Sequence, residues 1–96
     1  MAQSFVIECK EKVQIPGHGW LIEGFVREGV AFPDTDIKLV DVVGRRILIG
    51  TILGFIQGDD VADYVMEGQT CGVLMRYVDL TDVELDGCIL TDLQEA

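Results

Sequence analysis

Long apolar runs are missing from this chain. The longest are short, such as Ile47-Leu48-Ile49, far below the roughly 20 residues that a membrane helix needs. Bases are scarce too: 7 Lys and Arg stand against 17 Asp and Glu, for a net charge of −10. They are scattered, with only Arg45 and Arg46 adjacent. Binding nucleic acid through released counterions needs clustered cations, so the charge argues against a nucleic-acid partner and leaves a basic protein allowed. There is 1 histidine, so any Ser–His or Cys–His nucleophile would have to use His18, which lies in a glycine-flanked turn. Cys9, Cys71 and Cys88 are odd in number and show no C-x2-C pair, which disfavours a structural zinc site. The opening MAQSFVIECKEK has no basic leader followed by an apolar core, so no secretion signal is expected, and reduced thiols in a cytoplasmic compartment are. The acid groups Asp34/Asp36, Asp59/Asp60/Asp63 and Asp79/Asp82/Glu84 do not follow the calcium-loop pattern, and no phosphate-cradling G-x-x-x-x-G-K-S/T is present. No cofactor, metal or GTP is therefore expected.

What the chain has is strand signal. Its 96 residues suit one domain, and 49% hydrophobic content is enough for a packed core. Phe5, Ile7 and Cys9 alternate with Val6, Glu8 and Lys10, the period of a strand. Pro16-Gly17-His18-Gly19 turns the chain, and Trp20, Ile22 and Phe25-Val26 carry a second strand back, a long hairpin over 5–28. Ile37, Leu39 and Val40 make a third strand. Arg46 to Phe55 reads as a buried strand in which Gly50 and Gly54 mark bulges or tight bends. Asp60 caps one helical turn over Val61–Tyr64 in this reading. Thr70–Val78 is another strand, with Cys71, Val73 and Met75 on one face. Thr81 caps a short helical turn through Leu85, and Cys88–Thr91 is the last strand before a polar tail at 92–96. Six or seven short strands with turns every 8 to 12 residues predict an all-β fold, a closed six- or seven-stranded barrel with its core over about 5–91.

Gly68-Gln69-Thr70-Cys71-Gly72-Val73-Leu74-Met75-Arg76-Tyr77-Val78, then Asp82-Val83-Glu84-Leu85-Asp86-Gly87-Cys88-Ile89-Leu90, resemble two motifs of the second, barrel domain of the elongation factor Tu family of translational GTPases. Ile15-Pro16-Gly17-His18-Gly19 and Gly24-Phe25-Val26-Arg27-Glu28-Gly29 resemble its front end. The likeness covers roughly residues 5–91. It implies the barrel fold, with an outer face that neighbouring domains partly cover in the family. The family commonly has Arg where this chain has His18. The missing phosphate loop and the acidic charge keep GTP hydrolysis and tRNA contact from being carried over.

The expectation is a non-catalytic binding or adaptor module that contacts protein or a second copy of itself. The alternatives are a translation accessory contacting tRNA or the ribosome, and a thiol-based sensor or enzyme. Candidate interface residues are Trp20, Phe25, Arg76 and Tyr77; core packing is the competing role for Trp20.

Overall fold

Two alternating segments open the structure, a computed structural model that describes residues 5–17, 19–76 and 78–93. β1 (Phe5–Ile15) and β2 (Gly19–Ala31) form the expected antiparallel hairpin, longer by three residues than the sequence suggested. Gly17 and Gly19 take φ of 81° and 101° at its turn, values that residues with a Cβ rarely adopt. Two bulges bend the hairpin: Arg27 is extra on β2 between Val26 and Glu28, and Lys10 is extra on β1 between Cys9 and Glu11. A bulge sharpens local twist, so this ribbon curls.

The curl lets the chain return on itself. β3 (Asp36–Val40), β4 (Arg46–Gln57), β7 (Thr70–Arg76) and β8 (Ile89–Asp92) pair antiparallel with their neighbours. The pairing order is β1-β8-β3-β4-β7-β2, and β2 pairs back onto β1, so six strands form a ring of hydrogen-bonded neighbours. Two short strands lie off that ring, β5 (Asp60–Ala62) on β4 and β6 (Val65–Met66) on β2.

Period two sets what the ring encloses. Phe5, Ile7, Ile22, Val26, Ile37, Leu39, Ile52, Phe55, Val73, Met75 and Leu90 are buried in a single cluster. Each such side chain contributes roughly 1.5–3 kcal/mol by leaving water. Cys71, Val73 and Met75 are buried together as expected, while Leu74 faces outward. The 78–88 connection has no strand, yet it delivers Leu80 and Leu85 to the same core.

Several local readings change. Val61 is not helical; it pairs with Ile56 in β5, because a β4–β5 hairpin satisfies the backbone that a single helical turn would leave unpaired. The Thr81 turn is also not a helix. Asp79 Oδ1 accepts from the Thr81 backbone N–H at 3.0 Å and from its hydroxyl at 2.6 Å, an Asp-based turn that competes with helix. Asp92 belongs to β8 opposite Ile37 and is buried, so the tail starts later; residues 94–96 lie outside the described residues. Gly54 follows a bulge, at Leu53, as predicted. Gly50 does not mark one. A Cβ there would come within 2.7 Å of Val78 Cγ1 and 3.0 Å of Met75 Cε, so this glycine makes room for core side chains.

Candidate functional site

Of the sequence-derived interface residues, Phe25 and Arg76 lie at opposite ends of β7. Trp20 is only 9% exposed and joins the core cluster. Phe25 is half-buried and faces outward between Glu8 of β1 and Thr70 of β7. Arg76 is exposed at the far end of β7, opposite Thr51. The six-residue step from Thr70 to Arg76 puts these two positions about 20 Å apart, at roughly 3.3 Å per strand residue. Tyr77, like His18, lies outside the described residues.

A different face gathers the exposed apolar side chains. On β4, Ile47, Ile49 and Leu53 are 39%, 48% and 37% exposed. Their placement follows from the backbone. Ile49 sits outward by alternation, opposite Lys38. Ile47 and Leu53 share that outward phase, and each is the unopposed residue of a bulge, one against β3 and one against β7. Val42 and Val43, in the β3–β4 turn that precedes β4, are also largely exposed, with Val42 beside Gly87 of the 78–88 connection. Asp41 fixes that turn: its Oδ1 accepts from the Val43 and Arg45 backbone N–H groups at 3.1 and 2.8 Å, and its Oδ2 accepts from Arg45 Nε at 3.1 Å. The Arg45 backbone bond, above all, holds the Asp41 carboxyl below its ordinary pKa. Thr51, between Ile49 and Leu53 on β4, lies opposite Arg76 of β7 and donates to Asp36 at 2.9 Å.

This stripe was not among the sequence-derived candidates, because Ile47-Leu48-Ile49 reads equally well as a strand covered on both sides. The β4–β7 bulge at Leu53, which lets Ile52 and Phe55 both face the core, has one signal, Gly54. A second, smaller apolar group lies elsewhere: the Phe32 and Tyr64 rings are 6.0 Å apart at 37°, and Met66 is exposed on the adjacent β6.

The remaining chemistry is quiet. An open groove of about 450 Å³ runs over Gly72 between Leu21 and Ile56, with Lys10, Glu11 and Glu23 at its rim. Among the described residues no group of three or more His, Cys, Asp or Glu side chains is placed to hold a metal. All three cysteines are buried and unpaired. Burial first, then the neighbouring Cys88, pushes the Cys9 thiol up to about 12. Burial pushes Cys71 up to about 11. Cys88 is raised by burial and then by Asp41, Asp86 and Glu84. Near neutrality these groups are thiols rather than thiolates, a poor state for nucleophilic work.

One functional group went unnoticed in the sequence. Lys12 Nζ donates to the carbonyls of Leu80, of Thr81 at 3.3 Å and of Val83 at 2.7 Å, and stands 5.8 Å from the Trp20 ring centroid. It ties the strandless 78–88 connection to the first hairpin. An isolated lysine in an alternating strand gives no hint that carbonyls will converge on it.

No helix among the described residues is long and apolar enough to cross a membrane. No family model and no curated protein matches the chain.

Proposed function

We propose that the six-stranded ring is a closed barrel of the translation-factor second-domain type, and that the chain is a non-catalytic module contacting protein through the outer face of its β3–β4 hairpin. One observation carries the functional part: Ile47, Ile49 and Leu53 are all exposed on β4, and Val42 and Val43 are exposed in the turn before it. Contiguous exposed apolar surface with a charged border is what protein contacts are made of. The border here includes Lys38, Asp36 and Arg76. A second copy of the chain is the simplest partner, since a stripe on an antiparallel hairpin can meet itself across a two-fold axis. The net charge of −10 favours a basic protein if the partner is different.

Support for the barrel type comes from the glycines of the likeness. Gly24 and Gly72 sit where a side chain would strike the Glu8 carbonyl or Leu21, as a tightly curled ring of strands requires.

Ile49→Glu tests the functional reading. The position is exposed and faces Lys38, so the folded state tolerates the change. Sedimentation velocity and capture from native lysate are compared for both proteins. The variant is expected to lose self-association or the captured partner at an unchanged urea midpoint. If both chains sediment and capture alike, this face is not the interface.

A further inference from the structure

Three cysteines far apart in sequence fall on one cross-strand row. β1 and β8 pair as Val6↔Thr91, Ile7↔Leu90 and Glu8↔Ile89. The next step of that ladder places Cys9 opposite Cys88, and the Cys9 N–H donates to the Cys88 carbonyl at 3.0 Å. On the other side of β1, Cys9 is opposite Gly24, and Gly24 is opposite Cys71 on β7. The row therefore reads Cys88, Cys9, Gly24, Cys71.

Residues directly opposite in an antiparallel ladder share a face and have Cα atoms about 4.5–5.5 Å apart. A disulfide accepts Cα separations of about 4.4–6.8 Å. Cys9 and Cys88 meet that requirement by register. Cys71 does not: two strand spacings of about 4.8 Å separate it from Cys9, beyond what a disulfide spans without backbone movement.

We infer that Cys9 and Cys88 are a disulfide-forming pair that closes the seam between the first and last strands of the ring, with Cys71 remaining a free thiol. The local backbone permits the closure. The Cys88 N–H donates to Leu85 at 2.9 Å instead of back to Cys9, so only one bond of the usual two fixes this rung. The Cys88 thiol currently donates to the Glu84 carbonyl at 3.2 Å, a weak bond that a rotation of the side chain releases. An open groove of about 360 Å³ beside both cysteines, rimmed by Glu8, Lys10, Arg27 and Asp86, gives a small disulfide a way in.

The oxidant is a low-molecular-weight disulfide. The Cys88 thiolate attacks one of its sulfurs, the S–S bond breaks, and the departing thiolate takes up the proton that Cys88 gave away. Cys9 then loses its proton and attacks the Cys88 sulfur of the mixed disulfide. The second small thiolate leaves and is protonated. Two cysteine thiols are oxidised and one disulfide is reduced to two thiols. Because burial holds the Cys9 thiol up at about 12, exchange runs faster at pH 9 than at pH 7.

The experiment incubates the native full chain with oxidised glutathione and maps its peptides without reduction. The expected product is monomeric, with Cys9 linked to Cys88 and Cys71 alkylatable after unfolding. Cys71→Ala is expected to oxidise like the wild type, and Cys9→Ala to stop at a glutathione adduct on Cys88. The link constrains the unfolded chain over the 80 residues from Cys9 to Cys88. Urea titration of the oxidised protein should therefore show a folding equilibrium constant raised on the order of a thousandfold. A link that includes Cys71, an intermolecular dimer, or a wild-type chain that stops at the glutathione adduct would each overturn the pairing. So would a folded chain that stays reduced at pH 9 while the urea-unfolded chain oxidises. A Cys9–Cys88 link that lowers the urea midpoint would show that the native rung does not accommodate the bond.

Discussion

Gly24 is the position where one added methyl group should do most harm. Its φ lies outside the left-handed region, so alanine brings no backbone strain, and the whole cost is steric. A Cβ there would sit 2.5 Å from the Glu8 carbonyl oxygen, 2.9 Å from Ile7 Cγ2 and 3.4 Å from the Glu8 carbonyl carbon. Ordinary C···O contacts are about 3.3 Å or longer, so the first gap is short by roughly 0.8 Å. The atom it meets is main chain, held in the β1–β2 ladder, and no rotamer change removes it. The hairpin must open next to the Lys10 bulge, in the row that carries Cys9 and Cys71. Overpacking of this kind costs about 1–3 kcal/mol and more where nothing yields; the backbone clash puts Gly24→Ala at the top of that range, about 3 kcal/mol. Two other glycines calibrate the argument. At Gly72 the nearest atoms are Leu21 Cδ1, Cδ2 and Cγ at 3.0, 3.1 and 3.2 Å, the end of a side chain that can shift, so Gly72→Ala should cost about 1 kcal/mol. At Gly54 nothing lies within 4 Å, and Gly54→Ala should be neutral or stabilise by up to about 1 kcal/mol through the unfolded state. Urea unfolding followed by far-ultraviolet circular dichroism reads all three. With a slope of about 1–2 kcal/mol/M, Gly24→Ala should lower the midpoint by about 1.5–3 M. Equal midpoints for Gly24→Ala and Gly54→Ala would refute the strand spacing on which the ring rests.

The Lys12 contacts and the Asp41 turn give two further tests. Lys12→Met leaves the carbonyls of Leu80, Thr81 and Val83 without their shared donor and should cost about 1–3 kcal/mol. Hydrogen exchange should show the loss concentrated in residues 78–88, and uniform acceleration across the ring would contradict the tether. Asp41 titrates below its ordinary value when folded, so its stabilising contribution is present above the unfolded pKa and disappears as pH falls through the folded one. Asp41→Asn should lower the urea midpoint at pH 7 and approach the wild type as both are acidified below the ordinary Asp value of 3.8. A gap that widens on acidification would reverse the assigned sign.

How far the sequence carries the fold depends on which side of a strand is asked about. The enclosed side was legible: the alternation of Phe5, Ile7 and Cys9, and of Cys71, Val73 and Met75, predicts the faces that are buried, because period two leaves one answer once a core exists. The turn at Gly17 was legible for a similar reason, since few residues take its dihedrals. The helical turns over Val61–Tyr64 and Thr81–Leu85 were misread because capping residues also make tight turns. Here Asp79 bonds Thr81, and pairing with β4 claims Val61.

The outward side was not legible, and the cause is physical. Ile47, Ile49 and Leu53 have the same chemistry as Ile52 and Phe55, and local sequence cannot say which of them a second layer covers. Pairing with distant strands decides what is covered, and the bulge at Leu53 against β7 lets Ile52 and Phe55, three residues apart, both face the core. The same holds for the row of cysteines. Cys9, Cys71 and Cys88 carry no spacing signal, and only the closing of β2 onto β1 and of β1 onto β8 sets two of them opposite each other. Both the apolar stripe and the cysteine rung are thus products of ring closure rather than of any local motif. A substitution that opens the β1–β2 seam, as Gly24→Ala should, is expected to disturb the cysteine rung on the same strand before it disturbs the stripe on β4.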